Sequence, residues 1–150
     1  MNEKNFLHRA TKALIEIMFY GGILFCLSIP FSVPPLARAL GYSQDLVVPY
    51  SIVLTLSGAC ALFILWQLKA IFKTLLGGNP FTSGNVGALR KCAVASLLIA
   101  IIYSIKICLW FTIASSIIVI IFSLLGLFCL TLKDVFKQAV AYKEENDWTV

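Results

Sequence analysis

Charge is scarce in this 150-residue chain: charged residues make up 13 % of it, and only 7 are acidic. Histidine is scarcer still. His8 stands alone, which argues against a zinc site, since such a site needs several imidazole or thiolate ligands. Cys26, Cys60, Cys92, Cys108 and Cys129 include no C-x-x-C pair and no histidine neighbour, and read as small apolar packing residues. No nucleophile has a base at hand, and no carboxylate pair stands ready for acid–base work. The one Gly-Gly before a turn lacks the lysine and spacing of a phosphate loop. These absences argue against an enzyme, a metal or a cofactor.

What the chain has in abundance is apolar surface, 60 % of residues with a mean hydropathy of +0.93. A soluble domain of this size has no core able to hide so much, so the solvent is lipid. A crossing helix needs about 20 mainly apolar residues for a hydrocarbon core of roughly 30 Å. Residues 14–36, 46–68, 88–106 and 110–132 qualify, with a turn expected around 106–109. The expected fold is an all-α membrane protein, one domain of four transmembrane helices in a bacterial inner membrane.

Orientation follows from the basic residues. Lys4, Arg9, Lys12, Lys69, Lys73, Arg90, Lys91, Lys133, Lys137 and Lys143 fall on one side, and only Arg38 and Lys106 on the other. Both termini are therefore expected in the cytoplasm. The net charge of +5 is explained by membrane orientation, without nucleic acid. Ala37-Arg38-Ala39 has the small residues of a signal-peptidase site, but the apolar run before it is longer than the roughly 7–15 residues of a signal segment. The first span is expected to be retained.

Gly21-Gly22 allows a close neighbour, and Pro30, Pro34 and Pro35 suggest a kink and then a helix end. Gly41-Tyr42 reads as the first turn, and Pro49 suits the first turn of the second helix. That helix carries Ser57-Gly58-Ala59-Cys60-Ala61, a small-residue surface that Ala93, Ser96 and Ala100 of the third span could face. Such faces permit self-association. Residues 49–76 would form a helix of about 42 Å, so the second helix overshoots the bilayer. The fourth is expected to run on into residues 133–150, where Leu132, Val135, Phe136, Ala139 and Val140 form an apolar stripe. The alternative is a segment lying flat after a bend at Thr131.

Between the second and third spans lies Gly77-Gly78-Asn79-Pro80-Phe81-Thr82, the centre of a corner over residues 77–85. Glycine can end a helix in the left-handed conformation. Pro80 pushes Asn79 out of the helical region, and Thr82 can accept a backbone N–H to start the next helix. The chain's last stretch places Trp148 and Val150 among Glu144, Glu145 and Asp147. Apolar groups at a charged end suggest docking, with contact expected between Phe81 or Thr82 and residues 147–150.

Glu16 is the only acidic residue within a span, one turn from Lys12. An interfacial ion pair accounts for it; the alternative is a small-molecule transporter or exporter using Glu16. Small multidrug-resistance transporters offer a comparison, but the residues around their glutamate are not matched here. Lys106 is expected to snorkel to the outer interface.

Gly78-Asn79-Pro80-Phe81-Thr82, with Asn85 and Leu89-Arg90, resembles the central signature of the bacterial DUF2975 membrane proteins. Val135-Phe136, Ala139, Glu144-Glu145-Asn146-Asp147 and Thr149-Val150 resemble that family's ending, although Trp148 stands where the family usually has an aliphatic residue. No enzymatic residues are established for the family. Its genes often neighbour one for a small helix-turn-helix regulator, so the resemblance implies a cytoplasmic protein partner. The candidate partner site comprises Gly78, Asn79, Pro80, Phe81, Thr82, Asn85 and Arg90 with Glu145, Asp147, Trp148 and Val150.

Overall fold

A computed structural model describes residues 3–41 and 43–148. Its helices are α1 (Glu3–Ala39), α2 (Gln44–Leu76), α3 (Ser83–Leu109) and α4 (Ile113–Trp148). Each is long and apolar enough to cross a membrane, the pattern of a multi-pass membrane protein. Their 37, 33, 27 and 36 residues correspond to about 56, 50, 40 and 54 Å. The overshoot expected of α2 and α4 therefore extends to α1, and α3 is the short member.

Several boundaries differ from the sequence reading. Pro30, Pro34 and Pro35 all lie inside α1. Each removes one backbone bond, but an unwound chain in lipid would leave more groups without partners, so the helix persists to Ala39. Gly41 then turns at φ +72°. α2 starts at Gln44, so Pro49 sits in its second turn rather than its first. The α3–α4 break falls at residues 110–112 instead of 106–109. Trp110 becomes extended there, its N–H still bonded to the Lys106 carbonyl at 2.8 Å. α4 runs unbroken through Thr131, so the flat-lying alternative is not adopted.

The helices pack in chain order. α1 lies on α2, α2 on α3 and α3 on α4, and no other pair of helices brings its backbones together among the described residues. α1 and α2 meet reciprocally: Leu62 fills the space over Gly22, and Cys26 the space over Gly58. At the α3–α4 seam Leu97 and the Ala93 carbonyl crowd Gly126. α3 is the best-buried helix, with Cys92, Ala93, Ser96 and Ile99 almost wholly enclosed. Cys92, Ala93 and Cys129 form a core against Ile64 and Leu130. The expected facing of the small α2 cluster towards α3 holds in part: Ala59 and Cys60 line a groove with Ala95 of α3, while Gly58 and Ala93 make their closest approaches elsewhere. Gly58 faces α1 and Ala93 faces α4, because each close approach pairs a gap with a larger side chain.

Candidate docking face at the corner between helices 2 and 3

The end of α2 closes as the glycines require. Gly78 adopts φ +80°, the Asn79 N–H reaches the Thr74 carbonyl at 3.3 Å, and the Gly78 N–H reaches that of Leu75 at 3.2 Å. This is a Schellman cap, which satisfies carbonyls that would otherwise lack donors. Thr82, extended at φ −128° and ψ 148°, caps α3 by accepting the Asn85 N–H on its hydroxyl at 3.3 Å.

Asn85 then ties the corner together. Only 3 % exposed, its Nδ2 donates to the Pro80 carbonyl and to the Thr74 hydroxyl, both at 2.6 Å. Thr74 can pass its own hydrogen to the Ile71 carbonyl at 2.8 Å. Its side chain thereby bonds the last turn of α2 and the connecting loop, while its backbone N–H meets the Thr82 cap at its own helix start. Buried amides with both donors used hold a single geometry. Asn85 shapes the corner from inside.

The far part of α4 covers this corner. Phe81 and Phe136 meet with ring centroids 5.2 Å apart, and the Lys143 ammonium donates to Asn79 Oδ1 at 2.8 Å. Residues 136 and 143 are two turns apart on one face, and Leu132, Ala139 and Val140 of the stripe are half-buried, while Val135 points outward. The Asp147 side chain, Thr149 and Val150, to which the expected tail contact was partly assigned, lie outside the described residues. Trp148 is 90 % exposed, a correction to its expected burial; Phe81 has Phe136 as its aromatic neighbour instead. Glu145, Arg90 and Lys91 are exposed at this end.

Glu16 also differs from expectation. Its partner is Lys69 of α2 at 4.0 Å, rather than Lys12, and the Lys69 ammonium also lies 5.7 Å and 5.8 Å from the centroids of the Phe19 and Tyr20 rings. Three α1 side chains thus surround one α2 cation, consistent with an ion pair at the helix seam.

Lys106 was not foreseen as a site. Instead of snorkelling it is 4 % exposed, donating to Thr112 Oγ1 at 3.1 Å and to Ser115 Oγ, with its ammonium 4.7 Å from the centre of the Tyr50 ring. It joins α2, α3 and α4 at the end opposite the corner. Among the described residues no group of three or more histidine, cysteine or acidic side chains could hold a metal ion.

The model of one family, described as "Protein of unknown function (DUF2975)", matches residues 36–150. No curated protein and no solved structure matches the chain.

Proposed function

Because the chain belongs to the DUF2975 family, whose description assigns no activity, we propose a role from the corner's geometry: a non-enzymatic protein of the bacterial inner membrane that docks a protein partner on its cytoplasmic face. Both termini and the corner lie in the cytoplasm, by the bias of the basic residues. The partner is a small helix-turn-helix regulator, which this face holds at the membrane. The carrying observation is the α4 extension, which covers a corner fixed by Asn85 yet leaves Val135, Tyr142 and Trp148 exposed. Exposed apolar and aromatic groups beyond the bilayer's reach are the usual anchors of protein interfaces.

The test is co-purification of the intact protein with the neighbouring regulator from native membranes. The regulator is expected to be retained by the wild type and lost with Tyr142→Ala combined with Trp148→Ala, exposed positions whose truncation spares the fold. Failure of the wild type to retain it overturns the reading. The alternative, export through Glu16, predicts that Glu16→Gln abolishes resistance to a transported compound.

A further inference from the structure

We propose that the groove between α2 and α3 binds an anionic phospholipid, its phosphate on Arg90 and Lys91 and an acyl chain between the helices. The groove encloses about 660 Å³ and is walled by Leu56, Ala59 and Phe63 of α2 and by Val94 and Leu98 of α3. That volume falls in the range of roughly 300–1,000 Å³ typical of small-molecule sites. Small residues on both walls leave it open, Ala59 and Cys60 on one side and Gly87 and Ala95 on the other. From Lys91 to Leu98 α3 rises about 10 Å, room for the upper part of an acyl chain.

The groove is apolar along its length and cationic at one end. Arg90 and Lys91 line that end and are exposed. Lys69 pairs with Glu16, Lys133 with Asp134 and Lys143 bonds Asn79, whereas Arg90 and Lys91 make no hydrogen bond or ion pair with a described residue. Their level is the edge of the apolar slab. The neighbouring Cys92 lies beside Ile64, its sulfur 3.9 Å from that carbonyl oxygen, less than two turns from the Glu16–Lys69 pair. Lys106 lies about 22 Å farther along α3.

A void open to hydrocarbon forfeits dispersion contact unless a chain fills it. Any lipid brings a chain, so the head group decides which one stays. A guanidinium fork beside an ammonium matches a phosphate diester, and basic pockets between transmembrane helices favour anionic heads. A second copy of this chain would instead bring further cations to an end that already holds ten of the twelve basic residues.

The experiment is native mass spectrometry of the full chain, released from detergent, with phosphatidylglycerol or phosphatidylcholine titrated in. Phosphatidylglycerol is expected to bind about thirtyfold more tightly, the scale set by two basic side chains near an anionic lipid. Arg90→Gln with Lys91→Gln should bring the two lipids to parity, while Lys137→Gln, outside the groove, keeps the preference. Gly87→Leu provides a second arm. A Cβ at Gly87 meets open space, so the leucine should crowd the head-group end of the groove, a turn beyond Arg90 and Lys91, without disturbing the helices and weaken both lipids. Undiminished preference in the double variant overturns the proposal. So does a wild-type dimer that Gly87→Leu dissociates, which would make the groove a self-interface.

Discussion

Lys106 gives up water for two hydroxyls and the face of a ring. A buried ammonium left short of acceptors is more costly than a buried hydroxyl, which can rotate toward a carbonyl in its own helix. The two sides of this contact should therefore respond unequally. Ser115→Ala is expected to lower stability by about 1–3 kcal/mol. Lys106→Met, which keeps the stem and removes the charge, should cost less than about 1 kcal/mol or even stabilise. Melting curves of the purified proteins in one detergent would rank them, and the reverse order would show that the ammonium is not desolvated. The sequence could not place this lysine. With the α3–α4 break at 106–109, Lys106 falls in a turn beside water; with the break at 110–112, Thr112 and Ser115 fold back onto it. A shift of one helical turn decides between the two, and nothing local to Lys106 encodes it.

At the scale of elements, the corner was legible because its residues carry their own instructions. Gly78 needs a positive φ, Pro80 restricts Asn79, and Thr82 supplies a cap. Asn85 entered only through resemblance, since an asparagine two residues into a helix gives no sign of reaching back to Pro80 and Thr74. Asn85→Ala should destabilise the protein by about 1–3 kcal/mol, as a buried carbonyl and hydroxyl lose their donor. It should also loosen the grip of α4, read as faster proteolysis within residues 136–148. Helix partners were illegible for a different reason. Small residues say that a backbone can come close, without saying which one. Gly126→Val should cost about 1–3 kcal/mol because it drives methyls into Leu97 and the Ala93 carbonyl. Gly21→Ala, with open space at its Cβ, should be neutral or gain up to about 1 kcal/mol from helix propensity. Equal melting temperatures for the two variants would contradict the seam described at Gly126.

Across the whole molecule, hydropathy fixed the number of helices but not their serial order of packing. The family match from residue 36 onward takes in α2, α3 and α4 entire, the three helices joined both at the corner and at Lys106. α1 reaches them through α2, at Gly22, Gly58 and the Glu16–Lys69 pair. Gly58→Leu, which collides with Cys26, should therefore raise hydrogen exchange along α1 while leaving the interior of α3 protected. A uniform rise over all four helices would show that the chain opens as one cooperative unit.

The contact of Lys143 and Phe136 with the corner has a mechanical consequence. α4 is gripped at its start by Lys106 and again two dozen residues later by Asn79 and Phe81, so it cannot tilt alone. A thinner or thicker bilayer must swing α2, α3 and α4 as one stiff plate, and the strain of that swing falls on the Gly41 hinge and the seam with α1.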